Sequence, residues 1–204
     1  MRRVVVTGMG AVTPLGNDVE TFWKNIKAGV CGIDYITKFD TSDYKVKVAA
    51  EVRDFDPRLY MEKMDVLHSD LYTQFAIAAA TQAVEESGIT GTVPEERIGV
   101  YIGTGIGGIQ TFMDEHTKLK EKGPIRVSPF FIPMMIANMA SGMIAMRFRC
   151  KGPAMPAVTA CASGSNAIGE AQNDPCLMNL WVHDGCKDQS VNHYLYRQLL
   201  RESL

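Results

Sequence analysis

A short apolar run that ends on a cysteine constrains the fold of this chain more than any other feature. Residues 156–160 have the composition of a buried strand, and Cys161–Ala171 have the spacing of a helix rich in small side chains. Small residues such as Ala162 and Gly164 let the backbone, and a bound group, approach the cysteine closely. The run therefore predicts a strand that passes directly into a crowded helix, with Cys161 at the junction.

Cys161 lies where a cysteine can act as a nucleophile. Free backbone N–H groups and the positive end of a helix dipole favour a thiolate at the start of a helix. The alternative is a structural thiol, because burial is among the most common fates of cysteine. The spacing alone leaves both interpretations open.

Strand-like and helix-like segments alternate along the chain, which predicts an α/β fold with a largely parallel sheet. The other predicted strands are 3–7, 46–53 and 98–102. The other predicted helices run from an Asn17 cap to Gly29, over 73–87, and from Pro133 through Met143.

Composition and charge exclude several classes of function. The 204 residues carry a net charge of −2 with no basic block, which argues against a nucleic-acid surface. No apolar run is long enough for a membrane span or a signal peptide, so we expect a cytoplasmic protein. The five cysteines are odd in number and scattered, and we expect reduced thiols.

Cofactor and metal motifs are incomplete. Gly8-Met9-Gly10 is followed by Thr13 where a dinucleotide fingerprint needs glycine, and residues 103–108 lack the Gly-Lys-Ser/Thr ending of a phosphate loop. The cysteines and histidines near the C-terminal end lack the paired spacing of a zinc site; they are Cys176, His183, Cys186 and His193. We expect neither a metal nor a dissociable cofactor.

Four motifs in order resemble the β-ketoacyl-acyl-carrier-protein synthases of the synthase II type, which are condensing enzymes with a thiolase-like fold. The motifs are residues 5–17, 103–108, 128–133 and 159–164. The resemblance covers residues 1–171. It implies the N-terminal half of that fold, in truncated form, with a mostly parallel sheet flanked by helices.

The resemblance also implies a reaction and its site. Cys161 would accept the acyl group of a carrier-bound chain, and the thioester would then be joined to a malonyl-derived carbanion in a decarboxylating Claisen condensation of fatty acid biosynthesis. The backbone N–H of Cys161 would be one oxyanion donor, and Ile106 and Phe131 would shape the acyl pocket. The implied partners are acyl carrier protein, loaded with acyl or malonyl groups, and a second copy of the chain, since intact family members are homodimers.

The sequence also departs from the family. The family's His-Gly-Thr and Gly-His segments, the lysine before the second histidine and the Gly-Phe-Gly-Gly loop are absent from it. Residues 66–72 look like an insertion, and 172–204 form an unmatched tail, disordered or frame-shifted, with a weak helix over 191–200. We therefore expect an incomplete, inactive condensing enzyme. The alternative is a non-catalytic half-domain that binds acyl chains or a partner.

Overall fold

The computed structural model describes residues 4–174 and the backbone of residues 178–184. Its helices are α1 (Val19–Lys27), α2 (Lys63–Leu67), α3 (Leu71–Ser87), α4 (Ile109–Lys122), α5 (Phe131–Met135), α6 (Met139–Phe148) and α7 (Ser163–Asn173). Its strands are β1 (Asp34–Tyr35), β2 (Val48–Ala49), β3 (Ile98–Thr104), β4 (Ala154–Ala157) and β5 (Met178–Asp184). The α/β class predicted from the alternating pattern is confirmed.

The main sheet is parallel and has β3 at its centre. β4 and β5 pair with β3 on its two sides, and Gly103 of β3 lies opposite Ala157 of β4. β1 and β2 form a separate antiparallel pair. Because β3 and β4 run in the same direction, the loops that follow them leave the sheet at the same edge.

Both faces of β3 are covered by helices. Val100 and Ile102 point to one face and join a buried cluster with residues of α3 and α6, including Ile77 and Ile144. Tyr101 points to the other face, against Ala167 of α7. Side chains that alternate along a strand buried on both faces produce this three-layered arrangement.

The predicted long helix 73–87 is confirmed, and its boundaries have clear causes. The Asp70 carboxylate caps the first turn of α3 by accepting a hydrogen bond from the Tyr72 N–H. Gly88 ends the helix with a left-handed φ of 61°. The helix therefore begins two residues before the predicted start.

The prediction of a strand at 3–7 is wrong for residues 4–7, the part of it that the structure describes. Residues 4–7 have no regular secondary structure, and Val4, Val5 and Val6 are 60–66% exposed. The two sides of β3 are already occupied by β4 and β5, so this segment finds no place beside β3. The chain then passes over α3, where a Cβ at Gly8 or Gly10 would overlap a helix carbonyl oxygen.

Other boundaries also differ from prediction. Asp18, not Asn17, caps α1, since its carboxylate accepts a hydrogen bond from the Thr21 N–H. Only Val48–Ala49 of the predicted strand 46–53 is paired. The helix predicted from Pro133 through Met143 is two helices, because the backbone at Ile136 is extended, with ψ of 141°.

The predicted tail is partly described. The strand β5, Met178–Asp184, lies within the predicted tail 172–204. The helix expected over 191–200 lies outside the described residues, as do Cys176, Cys186 and His193.

Candidate active site

Cys161 is exposed on a tight turn between β4 and α7. The strand ends at Ala157 and the α-helix begins at Ser163, with a single 3-10 turn, Ala160–Ala162, between them. The predicted direct passage from strand to α-helix at Cys161 is therefore wrong by one turn. Its cause is Ala160, whose φ of 51° fits neither a strand nor a right-handed helix.

The left-handed conformation of Ala160 places strain next to the cysteine. A side chain in this region costs about 1–2 kcal/mol, so neighbouring contacts must hold the turn. Ser163 provides them: its fully buried hydroxyl accepts a hydrogen bond from the Thr159 N–H at 2.9 Å. The same hydroxyl lies 2.7 Å from the carbonyl oxygen of Ala160 and 2.9 Å from that of Thr104, to which it can donate.

The turn is packed closely against the end of β3. A Cβ at Gly103 would lie 2.5 Å from the backbone carbonyl of Ser163, so only glycine permits this approach. The Thr104 hydroxyl accepts a hydrogen bond from the Gly107 N–H at 3.0 Å and orders the glycine loop 103–108. The loop and the cysteine turn are thus fixed to each other.

The two predicted pocket residues lie on elements joined to this loop. Ile106 is 54% exposed within the glycine loop. Phe131 is partly buried and begins α5, and the Gly108 N–H donates a hydrogen bond to the Met135 carbonyl at the other end of α5. The structure therefore connects the Cys161 turn, the Ile106 loop and the Phe131 helix in one continuous set of contacts.

The backbone around Cys161 leaves a donor available. Within residues 4–174, no acceptor takes a hydrogen bond from the Cys161 N–H. A carbonyl oxygen bound to the cysteine could use that donor as negative charge develops on it.

Sequence reasoning missed Ser163. A small hydroxyl residue at the first position of a helix commonly bonds a free backbone group, and this signal was present two residues after the cysteine. Two histidines with described side chains pack on aromatic rings instead of standing alone: His68 stacks on Phe130, and His116 on Phe112.

Several exposed cations are already paired. Arg149 and Lys151 both bind Glu95, at 2.7 and 2.8 Å, and the hydrogen bond from Lys151 lowers the pKa of the Glu95 carboxyl. Lys63 and Arg126 are exposed, and neither forms an ion pair with any residue in the described part of the chain.

Nowhere in residues 4–174 do His, Cys, Asp and Glu side chains gather in a group that could bind a metal ion. No helix in those residues has the length and apolar character needed to span a membrane.

Comparison with known proteins identifies the family. Residues 1–174 match the family model described as beta-ketoacyl synthase, N-terminal domain. The chain is 48% identical over 171 residues to 3-oxoacyl-[acyl-carrier-protein] synthase 2 of Staphylococcus aureus (strain COL), a match that covers 83% of this chain and 41% of the relative. The chain thus spans about two fifths of the length of that relative.

Solved structures agree with this assignment. A beta-ketoacyl synthase from Burkholderia phymatum STM815 matches with a TM-score of 0.71 and 26% identity, over 84% of this chain and 43% of that one. The ishigamide ketosynthase/chain length factor matches with a TM-score of 0.69 and 30% identity, over 83% and 45%. The thiolase-like fold expected from the four sequence motifs is confirmed, and the chain belongs to the beta-ketoacyl synthase family, whose N-terminal domain it carries.

Proposed function

We propose that this chain provides the acyl-accepting part of a 3-oxoacyl-[acyl-carrier-protein] synthase of fatty acid biosynthesis, with Cys161 as the nucleophile. The observation that carries the proposal is the exposed thiol on a strained turn, beside an N–H that has no acceptor within residues 4–174. A nucleophile needs both access to its substrate and a donor for the charge that forms on the substrate oxygen.

In the first half-reaction, the Cys161 thiolate attacks the carbonyl carbon of a carrier-bound acyl thioester. The C–O π electrons move to the oxygen, which the Cys161 N–H stabilises. Collapse of this intermediate breaks the bond to the carrier's sulfur, which leaves as a thiolate and takes a proton. The acyl group is then held on Cys161 as a new thioester.

In the second half-reaction, a malonyl thioester loses CO₂, and the carbanion that forms attacks the Cys161 thioester. A carbon–carbon bond forms, the cysteine is released, and the product is a 3-oxoacyl thioester. The resemblance assigns decarboxylation to histidine segments that this sequence does not contain. The proposal for residues 1–174 is therefore the first half-reaction on Cys161.

The pocket and partner assignments belong to the same proposal. Ile106 and Phe131 would contact the acyl chain from the two elements joined to the cysteine turn. An acidic acyl carrier protein would be attracted by exposed cations such as Lys63 and Arg126. The proposal also includes the homodimer expected of intact family members. It includes a cytoplasmic location, where the Cys161 thiol stays reduced.

The test is acyl transfer from octanoyl-loaded acyl carrier protein, followed by peptide mapping. We expect an octanoyl adduct on Cys161 that is absent from Cys161→Ala and unchanged in Cys31→Ala, a matched control because Cys31 is also exposed. Octanoyl groups on Cys31 and Cys161 alike, or on neither, would contradict the proposal.

A second candidate is a non-catalytic half-domain that binds acyl chains or a partner. The exposed, unpaired segment Val4–Val6 favours it, because a partner could cover these apolar side chains. Binding of octanoyl-loaded carrier without transfer to Cys161 would support this candidate over the enzyme.

A further inference from the structure

The segment 66–72, which we interpret as an insertion, contacts both ends of the helix that carries Phe131. Before α5, the His68 ring stacks on Phe130, with ring centroids 3.8 Å apart and planes 14° from parallel. After α5, the buried Tyr72 hydroxyl donates a hydrogen bond of 2.6 Å to the Ile136 carbonyl. The short helix Phe131–Met135 is thus held at its two flanking residues.

The same segment is fixed to α4, which packs on Phe131 from another side. The buried Asp70 carboxylate accepts hydrogen bonds from the Thr111 N–H at 3.0 Å and the Thr111 hydroxyl at 2.6 Å. The next residue, Phe112, has its ring centroid 6.2 Å from that of Phe131. Movement of the segment would therefore reach Phe131 through α4 as well as through α5.

Hydrogen bonds also hold the turn of segment 66–72 itself. The Gln74 side-chain amide donates to the carbonyls of Val66 and Ser69, at 3.1 and 3.0 Å. The Ser69 hydroxyl donates to the Asp65 carbonyl at 2.6 Å. These bonds stabilise the turn that presents His68 to Phe130, so the stack is supported from within the segment.

We infer that segment 66–72 is a positioning clamp for Phe131 and that His68 and Tyr72 act through it to set which lengths of acyl chain the site accepts. This inference rests on the proposed function, because it takes Phe131 as a wall of the acyl pocket. His68 and Tyr72 are positioning residues, since neither is placed against the reacting atoms. A clamp at both ends fixes the position of Phe131 more firmly than packing of a single helix turn would.

The experiment measures alkylation of Cys161 in the full chain by N-ethylmaleimide and N-dodecylmaleimide, with Cys31 as the internal reference. The readout is the ratio of the two rate constants at Cys161, which reports chain-length preference without requiring acyl transfer. We expect His68→Leu to change this ratio about fivefold, the factor that one aromatic pair can supply. His68→Phe keeps a stacking ring and should stay within about twofold of the wild type.

Tyr72→Phe removes only the hydroxyl bond to Ile136, and it should change the ratio in the same direction as His68→Leu. Thermal unfolding of each variant identifies any that fails to fold, and the inference is then judged on the others. Equal ratios in the wild type, His68→Leu and Tyr72→Phe would overturn the clamp, as would equal changes in His68→Leu and His68→Phe. Failure of octanoyl transfer to Cys161 would instead contradict the proposed function, so the two failures are distinguishable.

Discussion

Ser163→Ala is the substitution that best isolates the forces holding the cysteine turn. The Ser163 hydroxyl is fully buried, accepts one hydrogen bond from the Thr159 N–H, and shares its proton between the carbonyls of Ala160 and Thr104. Alanine keeps the helix and the space but removes every one of these bonds.

The magnitude follows from those contacts. One accepted and one donated hydrogen bond contribute about 0.5–1.5 kcal/mol each, so the two together contribute up to about 3 kcal/mol. We therefore expect Ser163→Ala to lower the free energy of unfolding by about 1–3 kcal/mol. Ser165→Ala, an exposed position on the same helix, should change it by less than about 0.5 kcal/mol.

Urea denaturation followed by circular dichroism measures both values, provided that the slope of the transition is unchanged. A second measurement reports on the turn itself. Without the Ser163 hydroxyl, Ala160 can leave its left-handed conformation, so octanoyl transfer to Cys161 should slow while labelling of Cys31 does not. Equal stability of the Ser163→Ala and Ser165→Ala variants, with equal transfer to Cys161, would refute this account of the turn.

Three further predictions concern packing and charge. Gly103→Ala places a Cβ 2.5 Å from the Ser163 carbonyl and should cost about 3 kcal/mol in a urea titration, whereas Gly142→Ala, in open space within α6, should stabilise by about 0.5–1 kcal/mol. Hydrogen bonds from a lysine one turn along α4 and from a backbone N–H lower the pKa of Glu115. The ionised Glu115 carboxylate therefore contributes its full stabilisation at neutral pH, and this stabilisation is lost as pH falls below about 4.5. Glu115→Gln should flatten the acid side of a plot of unfolding free energy against pH. Burial raises the pKa of the Cys150 thiol, so peptide mapping after brief alkylation at pH 8 should find it the slowest of the three described cysteines, and equal labelling would contradict this.

The parts of the fold that the sequence predicts well are those with strong local signals. The helix 73–87 has apolar side chains at helical spacing and a glycine at its end, and the strand at 98–102 is a continuous apolar run bounded by glycine. Both elements are predicted correctly because the apolar residues that produce the sequence pattern also form the buried core.

The wrong predictions share one physical cause. Contacts with distant parts of the chain decide the local structure, and a local sequence pattern does not contain them. The run 4–7 has an excellent strand composition, yet both sides of β3 are taken by other strands. The helix after Pro133 breaks at Ile136, whose carbonyl is bonded by the Tyr72 hydroxyl from a distant segment. No window of sequence around either position contains that information.

The candidate site shows the same division. The small residues around Cys161 point to it as a candidate nucleophile. The pocket roles of Ile106 and Phe131 are implied only by the family resemblance. The strained conformation of Ala160 and the bonds of Ser163 depend on how β3 and α7 pack, so they required the structure.

The fold is expected to make Cys161 an acyl acceptor. The most direct measurement compares octanoyl transfer from its carrier to Cys161 in the folded chain and in the chain unfolded by urea, with Cys31 as the internal reference. We expect faster transfer to Cys161 than to Cys31 in the folded chain alone, and slow, equal transfer to both cysteines once it is unfolded. Equal transfer to Cys161 and Cys31 in the folded chain would contradict the claim, because the turn would then give the cysteine no advantage.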